Sequence, residues 1–222
     1  MDTVDFWEDQ SDSAPIASRI AGTLGRRIAQ GDIPAGTILT EVDVAAAEGV
    51  SRTPVREAMV RLQSWGFVRL MPKKGALVTI PTASEQRDLL EVRAMVECAA
   101  VKDVIADPDQ LELLCTQLEG ALAAQEAALN DENEFATADF TFHAAIAGSA
   151  RNAVMRELVV NLAPRLLRLT SLAVRSRRGR LDEFHAEHRE LYRAIRRRDL
   201  AGFTSAVQTH LSDGHRDYSV GQ

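Results

Sequence analysis

The stretch Gly49–Val78, GVSRTPVREAMVRLQSWGFVRLMPKKGALV, decides the fold. Ser51 is a favourable N-cap and Pro54 is tolerated in a helix's first turn, after which Val55, Met59 and Leu62 recur on one face until Gly66. Upstream, Thr40 and Asp43 make a T-x-x-D start signal before EVDVAAAE, and Gly49 ends that short helix. Two short helices joined by a tight glycine-containing turn are a helix-turn-helix, whose second helix enters the major groove of DNA. Working outward, Ile16, Ile20, Leu24 and Ile28 keep a helical period before Gly31, which predicts a first helix. On the other side FVRLM and ALVTI are short β-type runs around Pro72-Lys73-Lys74-Gly75, which predicts a β-hairpin wing with two cations at its tip.

Charge agrees with that placement once it is divided. The chain has 222 residues and a formal net charge of -6, but residues 1–14 carry five acids and no bases, residues 15–80 nine bases and five acids, and residues 81–222 seventeen and twenty-two. The only net-positive segment is therefore 15–80, and DNA answers to the local field, not to the sum. Hydrophobic residues at 45% and charged residues at 26% suit a globular protein, and no apolar run approaches the roughly 20 residues of a membrane helix. The acidic start MDTVDFWEDQSDSA is expected to be a flexible tail and lacks the pattern of an export signal, so a cytoplasmic location is expected. Cys98 and Cys115 lie outside any C-x-x-C spacing and are expected to be core residues.

Beyond Pro81 strand signals cease. Helical periods and the breakers Asp107-Pro108, Asn130, Gly148 and Gly179 predict about six helices, near 84–106, 109–130, 132–149, 152–175, 179–198 and 199–217, with a kink near Pro164. The expected fold class is thus mainly α: three helices and a β-hairpin wing, then an all-α bundle.

In that bundle Asp139 and His143 share the inner stripe of Phe135, Phe142 and Ile146, and His188 lies amid Leu181, Phe184, Leu191 and Ile195. His210 falls on the face of Phe203, Val207 and Leu211, whereas His185 is expected to face outward and His215 to lie near a frayed end. A single inward histidine is usually a hydrogen-bonded core residue. Three imidazoles and a carboxylate converging from three helices instead suit a divalent zinc, nickel, iron or manganese ion, since a buried carboxylate needs a partner. Arg93 also faces inward, with Glu97 one turn on, as a buried ion pair or as a ligand for something else.

Residues 15–80 closely resemble the winged helix-turn-helix of the GntR family of regulators, and D-x-x-F-H at 139–143, E-H at 187–188 and the late His210 resemble the FCD domain of its FadR subfamily, over 84–217. The resemblance implies that Arg52, Thr53 and Arg56 contact the major groove, and that Lys73, Lys74 and Gly75 contact the backbone or minor groove. Val42 departs from relatives that carry an arginine there. It further implies that Asp139, His143, His188 and His210 coordinate the ion, and that Arg93, with Arg165 as a second candidate, binds the carboxylate of a small organic or sugar acid. The expected protein is a homodimeric, metabolite-responsive regulator of double-stranded operator DNA, a repressor, with no enzymatic activity and no membrane partner. Two alternatives stand beside it: a DNA-binding protein with a purely structural metal, which no ligand would release from DNA, and a metal-dependent hydrolase, which would turn over substrate.

Overall fold

The computed structural model describes residues 14–177 and 179–213; most of the acidic tail and His215 lie outside the described residues. The chain divides into two compact units between Thr82 and Ala83.

In the first unit α1 (Ile16–Ala29), α2 (Glu41–Glu48) and α3 (Arg52–Ser64) are joined by β1 (Ile38–Leu39), β2 (Val68–Met71) and β3 (Gly75–Val78). Local chemistry fixes the limits of α2: the Asp43 amide donates to Thr40 Oγ1 at 3.1 Å, and Gly49 ends the helix in the left-handed conformation at φ 66°. Ser51 occupies the N-cap of α3 without a side-chain capping bond. The α3 stripe is buried as its period requires, with Val55, Ala58 and Leu62 fully enclosed and packed toward Ile20, Leu24 and Ile28 of α1. Ile16, the first member of the α1 period, is exposed.

The hairpin is the outer part of a three-stranded antiparallel sheet of order β1-β3-β2, so the expected two-stranded wing gains a third strand. Val68 pairs with Val78 and Met71 with Gly75, while Leu39 of β1 pairs with Ala76. Gly75 has a residue-specific reason: its φ is 108°, and a Cβ there would sit 2.2 Å from the Leu39 carbonyl oxygen.

The second unit holds α4 (Ala83–Val104), α5 (Pro108–Ala127), α6 (Glu132–Gly148), α7 (Ala153–Ser176), α8 (Leu181–Arg196) and α9 (Leu200–Asp213). Asp107, Asp131 and Asn152 cap α5, α6 and α7 through side-chain oxygens that accept from the following amides. Leu114, Leu118, Phe142, Ile146, Leu191, Ile195 and Phe203 fill one core. Helix α7 runs on through Pro164. Both thiols are free; Cys115 is buried and Cys98 half-buried.

Candidate DNA-reading surface and candidate metal centre

The first turn of α3 presents Arg52, Thr53 and Arg56 to solvent, with the two arginine side chains 62% and 68% exposed. Neither guanidinium is loose. Both are gripped by the Glu41 carboxylate: Arg52 Nε and Nη2 donate to Oε2 at 3.2 and 2.8 Å, Arg56 Nε to Oε1 at 2.8 Å and Arg56 Nη2 to Oε2 at 3.0 Å. The Arg56 bonds, then those of Arg52, pull the Glu41 carboxyl down to about 2, so it stays ionised at any working pH. Sequence reasoning missed Glu41, because an acid in the first turn of a helix already has a local explanation in the helix dipole. Lys73 and Lys74 are exposed at the wing tip, Lys73 in the left-handed region at φ 64°. Gly75 beside them is already required by the close approach of β1.

In the bundle Asp139, His143, His188 and His210 are all buried, from α6, α8 and α9. His143 Nε2 lies 3.1 Å from His188 Nε2, and His188 Nε2 lies 3.4 Å from Asp139 Oδ2. Ligand nitrogens of the three histidines fall within 4.8 Å of one another. Donors held about 2.0–2.1 Å from a shared ion stand roughly 2.9–3.4 Å apart in octahedral or tetrahedral geometry, so the 3.1 and 3.4 Å separations fit a common cation.

The outer partners explain why the Nε2 atoms point inward. His143 Nδ1 lies 3.0 Å from Glu97 Oε1, His188 Nδ1 2.8 Å from Gln125 Oε1, and His210 Nδ1 2.6 Å from Glu187 Oε2. An amide oxygen only accepts, and the Glu97 oxygen already accepts from Arg93, so Nδ1 carries the proton and Nε2 keeps its lone pair. That is the outer-sphere arrangement of histidine ligands. Two such lone pairs facing each other at 3.1 Å repel unless a cation lies between them.

The charges of this centre are costly without such a cation. Burial raises Asp139 to about 6, offset in part by Arg93 and His210, and burial also raises Glu97 against the pull of Arg93. Burial, followed by repulsion from His210 and His143, holds His188 well below the usual imidazole range. His185 is half-buried near Gln125, so its expected outward direction is only partly met. Gln125 and Glu187 were missed as partners; Gln125 continues the apolar stripe Leu111, Leu114, Leu118, Ala121 of α5, and a polar residue in such a stripe was the available signal.

Arg93 and Glu97 do form the buried pair, with Nε donating to Oε1 at 2.9 Å and side chains 5% and 0% exposed. Arg93 Nη2, also buried, has no hydrogen-bond partner among the described residues. Arg93, Glu97 and His143 are among the residues around a small cavity between α4, α6 and α7, whose accessible wall is apolar. Arg165 is a correction: it is exposed, and the buried cation of α7 is Arg168, whose guanidinium burial lowers to about 10. The expected stripe took its phase from Leu158, which is 41% exposed, whereas the inner face follows Ala163, Leu166, Leu169 and Ala173.

Comparison with known proteins follows the same division of the chain. Residues 16–78 match the gntR family of bacterial regulatory proteins, and residues 88–213 match the FCD domain. The chain is 32% identical to a gluconate operon transcriptional repressor of Bacillus licheniformis, over 90% of this chain and 84% of that one. It is 25% identical to the transcriptional repressor RspR of Escherichia coli K12, over 90% and 87%. A structure from Rhodococcus sp. RHA1, described as a GntR-type regulator, superposes with a TM-score of 0.78 at 26% identity, covering 93% of this chain and 99% of that one.

Proposed function

This chain belongs to the GntR family of bacterial regulatory proteins and carries its FCD domain, a premise from which we propose that it is a repressor whose operator affinity is set by a small carboxylic acid bound beside a divalent ion. The family is one of transcription regulators, not of enzymes. The DNA-reading half follows from the exposed first turn of α3. Arg52 and Arg56 can each bond guanine edges, Thr53 can bond a base or phosphate, and Lys73 and Lys74 attract the backbone without reading it. Glu41 keeps both forks in fixed orientations before DNA arrives, which favours directional base bonds over any phosphate within reach. The protein acts as a homodimer, since one reading helix per chain serves half of a two-fold operator.

The sensing half is supported by one observation: ring nitrogens of His143, His188 and His210 lie within 4.8 Å of one another, with Asp139 Oδ2 3.4 Å from His188 Nε2 and every imidazole bonded from behind through Nδ1. Asp139, His143, His188 and His210 would hold the ion, which when bound supplies positive charge and open positions for an acid's oxygens. Arg93 orients that acid's carboxylate; Glu97 in turn orients Arg93 and His143 together. The effector must prefer one arrangement of the two reading modules, because equal affinity for both would shift nothing.

Elemental analysis of purified protein tests the centre. One divalent ion per chain is expected in the parent and in His185→Ala, and a severe loss in His188→Ala. Equal metal in both variants would remove the centre. Retention of metal with no acid altering DNA affinity would leave a structural ion only.

A further inference from the structure

We propose that Gln125 is a two-way partner for His188 that makes the ion exchangeable. Its side-chain amide accepts from Nδ1 while the ion is bound, and turns over to donate to Nδ1 when the ion leaves; this deepens the metal reading above and rests on it. The three imidazoles are not backed alike. Glu97 and Glu187 stand behind His143 and His210, and an ionised carboxylate can only accept, so those two rings keep the proton on Nδ1. Behind His188 stands an amide, which carries an acceptor and a donor group on one planar unit. A half-turn leaves its shape unchanged and serves the other tautomer of the ring.

Two observations point to that second orientation. With Oε1 toward His188 Nδ1 at 2.8 Å, Gln125 is fully buried and its Nε2 has no hydrogen-bond partner among the described residues. Buried N–H groups without a partner are rarer than carbonyl oxygens without one, and turning the amide over exchanges the first for the second. Nε2 then donates to His188 Nδ1, and His185 Nδ1 lies 3.4 Å from the same position as a second acceptor. The other observation is at the inner edge of the ring, where His188 Nε2 stands 3.1 Å from His143 Nε2 and 3.4 Å from Asp139 Oδ2. With an ion all three atoms are ligands. Without one, the facing lone pairs repel until one ring carries its proton on Nε2, and of the two only His188 has a partner able to donate to the bared Nδ1. Its Nε2–H then points at the His143 lone pair, with the Asp139 oxygen beside it. The balance is neutral: one proton leaves His188 Nδ1, one arrives at Nε2, and the amide turns.

Nitrogen NMR of the full chain with isotopically labelled histidine, which tells a protonated ring nitrogen from a bare one, is the test, run on chelator-treated protein before and after adding zinc. His188 is expected to carry its proton on Nε2 without zinc and on Nδ1 with it, while His143 and His210 keep theirs on Nδ1 throughout. Zinc affinity, read by competition with a chelating dye, gives a second measure. Gln125→Leu, which can neither accept nor donate, should weaken zinc about 10–100-fold, the usual cost of losing the partner behind a ligand. Gln125→Glu restores an acceptor and should bind zinc at least as tightly as the parent, a rescue that mere filling of space would not give. The NMR measurement on the parent stands even if a variant fails to fold. A His188 proton on Nδ1 in both states overturns the turning amide yet leaves the centre in place, and Gln125→Leu holding zinc as tightly as the parent overturns the positioning role. A parent chain that binds no zinc, nickel, manganese or ferrous iron removes the centre, and this inference with it.

Discussion

Loading and stripping the metal centre should move the melting temperature of the second unit by a calculable amount. His188 is fully buried, its Nδ1 tied to Gln125 and its Nε2 facing His143 and Asp139, so a bound ion has no equivalent site once the chain unfolds. An ion at a hundred times its dissociation constant stabilises the folded form by about 2.7 kcal/mol. Unfolding entropy near 2.1 cal/mol/K per residue over roughly 130 residues gives about 0.27 kcal/mol/K, so the shift is about 10 °C. Scanning calorimetry of chelator-treated protein, before and after adding zinc, nickel, manganese or ferrous iron, measures it. In His188→Ala the starting temperature falls, because a buried ring is lost and Gln125 loses its partner, but metal should add almost nothing.

The increment should also depend on pH. Asp139 has a folded pKa raised to about 6, so the metal-free fold loses stability as pH rises from about 4 to about 6 and that carboxyl ionises in the core. His188 has a folded pKa held below its unfolded value, so it weakens the metal-free fold as pH falls through about 6.5. Both groups must be deprotonated to ligate, and the metal-induced shift should therefore grow from about pH 4 to pH 7. A shift independent of pH, or one equal in His188→Ala, would refute the centre.

Glu41→Gln should release Arg52 and Arg56 from their common carboxylate: random DNA is expected to bind more tightly with a steeper salt dependence, and the operator-to-random ratio to fall; an unchanged ratio in anisotropy titrations counts against a positioning role. Arg52→Ala or Arg56→Ala should lower that ratio by tenfold or so, whereas Lys73→Ala should weaken all sequences alike and flatten the salt slope. Gly75→Ala forces a Cβ against the Leu39 carbonyl at a positive φ and should cost the first unit about 2 kcal/mol or more by chemical denaturation; a loss under 0.5 kcal/mol would show that the wing relaxes freely. Sedimentation with operator DNA should give two chains per site, and one chain per specific site would exclude the dimeric mode.

Sequence alone determined what short-range periodicity can carry. The cap and stop of α2 at Thr40 and Gly49, the Val55, Met59 and Leu62 face of α3, the six bundle helices and the inward faces of His143, His188 and His210 all depend on neighbours three or four residues away, bonded within one element. Tertiary structure decided what depends on two elements meeting. β1 is two residues long and exists only because β3 supplies its partners, so it leaves no period to detect. Glu41 reaches Arg52 and Arg56 across 11 and 15 residues, and Gln125 reaches His188 across 63; composition at either end says nothing of the other. The exchange of Arg165 for Arg168 shows the limit of phase itself: α7 has apolar residues beyond its buried face, and only the packing of α6 and α4 against it selects the face that leaves water.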